Sequence, residues 1–533
     1  MTEARTTGPI SRGPRRGRHH AALAVLWTCA LLVTACAADP PGRRAGHGPA
    51  GPTGTGATAA VPPGLTGYYR QELDWRPCPE QPSFQCTTLR APLDYAHPQA
   101  GDIRLAATRR KATGTGRRIG SLLFNPGGPG EPAITSLWSY AGSFSPAVRA
   151  AYDLVAVDPR GVGSSTPVRC ATGTAGALPG VRGAPRAAGP DAAGAGAAEP
   201  DFAAADASAR ETADACERGA GSLLPHVGTL DSARDMELLR VLLDDERLHY
   251  LGFSYGSYLG ASYAGLYPSH VGHMVLDGAV DPTLDGVHSL LGQARGYQIA
   301  WDSFVADCAA RPACPVGHSA AEAGRALDAL VESLDRAPLR QGKDVVVDGD
   351  TLVNAVTTGL LAPAWEKLRT ALREVRTGGT TAVQELSGAF EDSGFSGDAY
   401  LAITCLSGSL GPRATPAQAR AALPGFVRVS PRFGRYFAEQ LSTCAHWPVP
   451  ADQPTGPVTA HGAAPILVLG TTRDPATPYS EARALARLLS SGRLLTYDGD
   501  GHTAYLRSVG CVDDAVDRYL TGGRLPPPGT VCT

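Results

Sequence analysis

Among the side chains able to do chemistry, Ser254 has the most informative neighbours. It stands in Gly252-Phe253-Ser254-Tyr255-Gly256. A serine hydroxyl attacks a carbonyl only when a base takes its proton and donors stabilise the oxyanion. The G-x-S-x-G pattern supplies geometry: the serine rides a strained strand-to-helix turn, where bulky residues two positions away would clash. In a chain with 64 glycines a single match is close to chance, so the flanking residues decide. Leu248-His249-Tyr250-Leu251 predicts a short strand leading in. Ser257 to Tyr267, closed by Pro268, predicts a helix leading out, with Gly260, Ala261 and Ala264 small enough for close packing on a sheet.

A base and an acid should follow in the order Ser, Asp, His. Asp474 follows the apolar run Pro465-Ile466-Leu467-Val468-Leu469, and His502 follows Leu494-Leu495-Thr496-Tyr497. Both fall at the carboxyl ends of predicted strands, the edge where open α/β sheets place ligands. His502 is then the general base and acid, and Asp474 holds its tautomer and stabilises the imidazolium. Asp277 and Asp281, after the strand that follows the elbow, are rival acids; Asp498 and Asp500 read as loop or turn residues. The oxyanion needs two backbone N–H groups. Tyr255, next after the nucleophile, supplies one, and the turn at Gly127-Gly128 supplies the other, assigned to Gly128.

These residues need a scaffold of strands alternating with helices. Ser121-Leu122-Leu123-Phe124, Tyr152 to Val157 and Met274-Val275-Leu276 add further strands, and Asp231 to Asp245 is a helical segment with Met236, Leu239, Leu242 and Leu243 on one face. The alternation predicts a mainly parallel α/β sheet, and with the elbow at Ser254 the expectation is an α/β-hydrolase fold. Between Asp281 and His446 the rhythm breaks into helical patterns, such as Leu327, Leu330, Val331 and Leu334. By analogy with α/β hydrolases, this insertion is expected to be a mostly helical cap, or lid, over the site. The divisions expected are a core in two parts, 65–282 and 446–533, with the cap at 283–445.

Arg12, Arg15, Arg16 and Arg18 precede an apolar run from Ala21 to Ala35. Fifteen helical residues rise about 22 Å, short of the roughly 30 Å needed to span a bilayer, so residues 1–36 read as a signal peptide. The run ends Val33-Thr34-Ala35-Cys36, which resembles a bacterial lipobox and makes Cys36 the lipidation site. Residues 37–64 are mostly Pro, Gly, Ala and Thr, with almost no large apolar residue, and read as a flexible tether; the similar tract from about 171 to 207 reads as a long surface loop. Of 12 cysteines, ten remain after Cys29 and Cys36, an even count that implies disulfides in an exported chain. Loop closure favours sequential neighbours: Cys78–Cys86, Cys170–Cys216, Cys308–Cys314, Cys405–Cys444 and Cys511–Cys532. A net charge of −2 gives no electrostatic footprint for nucleic acid. No cysteine–histidine cluster suggests a metal, and no cofactor is expected.

Asn125-Pro126-Gly127-Gly128-Pro129-Gly130 resembles the HGGPG oxyanion loop of prolyl iminopeptidases, with Pro126 where their histidine stands. Together with Asp158-Pro159-Arg160-Gly161, the Ser254 elbow, Leu276-Asp277-Gly278 and Cys444-Ala445-His446-Trp447-Pro448, it resembles the secreted tripeptidyl aminopeptidase family and its mycobacterial lipoprotein serine-protease relatives. The resemblance covers about Leu65 to Cys532. It implies peptide-bond hydrolysis through an acyl-enzyme, releasing short peptides, tripeptides among them, from free N-termini. Such an enzyme must bind an α-ammonium, for which Glu131, Asp302, Asp307, Glu366 and Glu391 are candidates. The partners implied are peptide substrates and a membrane reached through the lipid anchor. An esterase or lipase using the same triad is the principal alternative, and a ligand-binding lipoprotein without catalysis is a third.

Overall fold

The computed structural model describes residues 64–533 except 117, 171–199, 390–392 and 453–454. The predicted signal peptide, Cys36, the tether up to residue 63 and Glu391 lie outside the described residues, as does most of the 171–207 tract.

The scaffold is a ten-stranded sheet. In chain order its strands are β1 (Arg76–Pro77), β2 (Gln85–Pro92), β3 (Asp102–Arg110), β4 (Gly120–Asn125), β5 (Tyr152–Val157), β6 (Leu248–Phe253) and β7 (Val271–Asp277). A separate two-stranded hairpin, β8 (Leu339–Gln341) and β9 (Asp344–Val347), precedes the last three, β10 (Ile466–Arg473), β11 (Gly492–Asp500) and β12 (Val531–Cys532). The spatial order is β1-β2-β3-β5-β4-β6-β7-β10-β11-β12. From β5 to β12 every neighbouring pair is parallel. The pairs β1–β2, β2–β3 and β3–β5 are antiparallel. This is the mainly parallel sheet of an α/β-hydrolase fold.

Burial explains which strands announce themselves in sequence. All six residues of β4 are buried, as are all but Asp153 of β5 and all but His249 of β6. Strands covered on both faces read as continuous apolar runs. Strands β2 and β3 alternate instead, burying Leu89, Ala91, Ile103 and Leu105 between exposed Thr88, Arg90 and Arg104. Neither was anticipated, because alternation over so few residues is a weaker signal. Two apolar layers cover the sheet: Tyr250 and Met274 point into one, Leu251 and Val275 into the other.

The residues between β7 and β10 carry the helices Gly286–Ala309, Ala320–Arg336, Gly349–Leu361, Trp365–Val375, Gly397–Leu406 and Pro416–Val429, among others. Trp301, Phe304, Leu352, Leu368 and Phe426 are buried together there in a third apolar cluster. Phe202 belongs to the same cluster, which corrects one expectation: residues 202–207 are not surface loop. They begin the helix Phe202–Ala220, where Asp201 caps the N–H groups of Ala203 and Ala204. Five disulfides are formed, Cys78–Cys86, Cys170–Cys216, Cys308–Cys314, Cys405–Cys444 and Cys511–Cys532. No helix among the described residues is long and apolar enough to cross a membrane.

Candidate active site

Strand β6 delivers Ser254 directly into the helix Tyr255–Leu266. Ser254 has φ of 56° and ψ of −123°, a strained conformation for a residue with a side chain. Its N–H donates to the carbonyl of Asp277 at 2.9 Å, which pins the elbow to the end of β7. Both glycines of the elbow are fixed by close approach. A Cβ on Gly252 would lie 2.3 Å from the Gly256 oxygen, and one on Gly256 would lie 2.9 Å from the Asn125 oxygen.

The turn after β4 faces the elbow. Gly127 has φ of +101°, and a Cβ there would stand 2.5 Å from the Phe253 oxygen and 3.2 Å from the Tyr255 nitrogen. Only glycine brings the backbone this near at that φ. The Gly127 N–H donates to Asn125 Oδ1 at 3.0 Å, which shapes the turn. Tyr255 opens its helix, so its N–H has no partner one turn earlier in the helix.

Asp474 and His502 come from the ends of β10 and β11. His502 Nδ1 lies 2.9 Å from each oxygen of Asp474. Asp474 is buried, and donors fix it: Ala476 N–H and Thr477 N–H to Oδ1, each at 2.9 Å, and the Thr477 hydroxyl to Oδ2 at 3.0 Å. The same hydroxyl lies 3.2 Å from His502 Nδ1. Burial alone pushes the His502 imidazolium down, but Asp474, reinforced by Asp277, outweighs it, so the imidazole titrates above its ordinary 6.5. The His502 N–H donates to the carbonyl of Leu361 at 2.9 Å.

The rival acids take other partners. Asp277 accepts the N–H groups of Ala504 and Tyr505, and Asp281 accepts the backbone N–H and the hydroxyl of Thr283. Asp498 and Asp500 pair with Arg473. Sequence reasoning passed over Thr477, Asn125 and Leu361. For Thr477 a signal existed: an aspartate whose carboxylate takes the N–H groups two and three residues on is a familiar turn, and Asp474-Pro475-Ala476-Thr477 could have been read as one. Leu361 acts through its backbone, which leaves no mark in side-chain type.

Among the candidate ammonium-binding carboxylates, Glu131 sits just past the oxyanion turn. Its oxygens accept from the hydroxyls of Ser136 and Ser393, and burial raises its carboxyl. Asp307 and Glu366 are occupied by Arg311 and Arg369, and Asp302 accepts from Gln298.

Comparison with known proteins agrees with this geometry. The family described as TAP-like protein matches residues 430–532. Serine protease Hip1 of Mycobacterium tuberculosis (strain ATCC 25618 / H37Rv) is 34% identical over 496 residues, covering 87% of this chain and 91% of the relative. Carboxylesterase B of the same organism is 34% identical over 465 residues, covering 84% of this chain and 86% of the relative. Tripeptidyl aminopeptidase of Streptomyces lividans is 30% identical over 502 residues, 87% of each chain. The sheet, the elbow at Ser254 and these likenesses over most of its length make one conclusion: the chain belongs to the α/β-hydrolase family of tripeptidyl aminopeptidase-like serine hydrolases.

Proposed function

We propose that this protein is an exported serine peptidase that cleaves peptide bonds through an acyl-enzyme on Ser254. The observation that carries the reading is His502 Nδ1 at 2.9 Å from both oxygens of Asp474, on the sheet edge that also carries the strained Ser254. His502 takes the Ser254 proton as the hydroxyl attacks the scissile carbonyl, and Asp474 stabilises the imidazolium formed. The N–H groups of Gly128 and Tyr255 receive the oxyanion. His502 then returns the proton to the leaving amine, and water repeats the cycle to release the acyl group. No cofactor enters any step.

The resemblance to tripeptidyl aminopeptidase supports release of short peptides, tripeptides among them, from free N-termini. Glu131, just after the Gly127-Gly128 turn, is the candidate we assign to receive the α-ammonium. Residues 283–445 form the cap, and 65–282 with 446–533 the catalytic core. Five disulfides suit an oxidising compartment. Residues 1–36 serve as a lipoprotein signal and Cys36 carries the anchor; Cys36→Ala should move the protein from the membrane fraction to the medium, and retention in the membrane would refute the anchor.

A second reading has its own support, since a relative named carboxylesterase B is as similar as the protease. The two are separated by kcat/KM on a tripeptide anilide, its N-acylated form and a short-chain ester. The aminopeptidase reading predicts that N-acylation abolishes cleavage. Preference for the ester over the free tripeptide would decide for the esterase.

A further inference from the structure

Asp277, displaced from the triad by Asp474, is fully buried at the end of β7 with its charge unused in the chemistry above. Three contacts converge on it. Its main-chain oxygen receives the Ser254 N–H at 2.9 Å. Its Oδ2 receives the N–H groups of Ala504 and Tyr505, at 2.9 and 2.8 Å, the second and third residues after His502. Among the described residues no hydrogen-bond partner meets its Oδ1.

The segment Asp277 grips needs a clamp. Thr503, Leu506 and Ser508 all have φ between 63° and 66°, in the left-handed region that residues with side chains disfavour. Such strain persists only where surrounding structure over-determines it. Arg507 helps, donating to the Thr503 carbonyl at 2.7 Å and the Asp500 carbonyl at 3.1 Å, and Asp513 accepts the Leu506 N–H at 3.0 Å. Asp277 thus hydrogen-bonds both to this segment and to the elbow.

We propose that Asp277 is a positioning residue that fixes nucleophile and base relative to each other, holding Ser254 by its backbone and the His502 loop by its carboxylate, and that its negative charge supports the His502 imidazolium alongside the hydrogen-bonded acid. The inference rests on the triad reading of Ser254, Asp474 and His502. The charges around the pair are few. Asp474 enters from the end of β10, His502 and Arg507 from the loop after β11, Asp281 from the segment after β7 and Glu481 from the helix Tyr479–Leu488. The elbow and its helix Tyr255–Leu266 carry no charged residue. Burial, opposed by the two N–H donors and helped by Asp474, raises the Asp277 carboxyl to about 6, so the charge is present through the neutral range.

The test is the Asp277→Asn enzyme. Its amide oxygen can still receive the two N–H groups, so the clamp stays while the charge goes. Removing a negative charge near an imidazole lowers its pKa, so the acid limb of kcat/KM should move down by roughly one pH unit. Plateau kcat should fall roughly tenfold, the equivalent of one unit of lost imidazolium stabilisation, with KM within about twofold. An acid limb that stays where it lies in the wild type overturns the proposal, since a merely structural role would leave it there. Should Asp277→Asn fail to fold, the wild-type His502 imidazole, followed by NMR, carries the test: its titration should register the ionisation of the Asp277 carboxyl as a second inflection, and a single-step titration overturns the proposal. Ser254→Ala separates the two layers: full activity there refutes the triad itself, whereas an inactive Ser254→Ala beside an unaltered Asp277→Asn refutes only the role of Asp277.

Discussion

The His502 N–H donates to the Leu361 carbonyl at 2.9 Å, so the last turn of a helix in the inserted region holds the residue assigned as base. Two more ties run between the insertion and the loops at the sheet edge. Ser303 donates to Asp500 Oδ1 at 2.6 Å, and the Ser396 N–H donates to the Gly130 carbonyl at 3.0 Å. The insertion therefore ties down the loops that carry His502 and Gly130. Substrate entry must be compatible with those bonds.

Gly130 tests that coupling. Its φ is +93°, and a Cβ would stand 2.6 Å from the Ser396 oxygen and 3.0 Å from the Tyr400 nitrogen. Gly130→Ala should lose about 1–3 kcal/mol to backbone strain alone, and the displaced turn should lower kcat. Thermal unfolding and turnover on one substrate check this. An unchanged Tm with unchanged kcat would show that the joint does not constrain the turn.

The pH profile follows from the raised His502 pKa. Activity needs neutral imidazole, so the acid limb of kcat/KM should lie above the ordinary 6.5 rather than at or below it. In Asp474→Asn the dominant cause of the rise is gone, and burial should carry the limb downward as kcat collapses. A wild-type limb below 6.5 would contradict the electrostatic account of the pair.

Thr477 should matter through its hydroxyl. Thr477→Val keeps the shape and the N–H bond to Asp474 but loses the 3.0 Å bond to Oδ2 and the contact with His502. One lost hydrogen bond to a charged group is worth about 1.5–3 kcal/mol, which corresponds to a kcat lower by roughly 10- to 100-fold with KM little changed. Thr477→Ser should restore most of the rate. Equal rates for the Val and Ser variants would remove the hydroxyl from the account.

Glu481 predicts a stability effect instead. It is buried behind the acid loop, accepting the Asp281 N–H at 3.1 Å, and burial lifts its carboxyl from 4.5 to about 8. The folded protein thus holds a proton there that the unfolded chain releases. Its stabilising contribution is complete below about pH 4.5 and is lost as pH rises through about 8, with a slope of at most about 1.4 kcal/mol per pH unit. Glu481→Gln removes that slope. Denaturant unfolding at pH 5 and pH 8.5 should show the variant gaining on the wild type as pH rises; a constant difference would contradict the raised pKa.

The legibility of the chain follows burial. Strands β4, β5, β6, β7 and β10 are buried on both faces and read as apolar runs, so their succession and the residues at their ends could be placed from sequence. Strands β2 and β3 lie in the antiparallel part of the sheet and alternate, and they were missed. The Ala-rich residues 202–207 looked like linker because alanine and aspartate carry no periodic signal, yet Phe202 anchors them in the apolar cluster of the insertion. Asp474 is preferred to Asp277 and Asp281 from its place after the apolar run ending at Leu469, in the order Ser, Asp, His along the chain, and His502 Nδ1 lies 2.9 Å from its carboxylate oxygens. Backbone contacts such as Leu361 to His502 leave no trace in residue type at all.

Ser254 is proposed as the nucleophile of a peptide-hydrolysing enzyme. The most direct measurement is kcat/KM on an unblocked tripeptide anilide for the wild type and Ser254→Ala, purified side by side with matched circular dichroism. Loss of the nucleophile should lower the rate by a factor on the order of 10⁶, as in a serine protease stripped of its triad serine. Activity in Ser254→Ala within tenfold of the wild type would contradict the account.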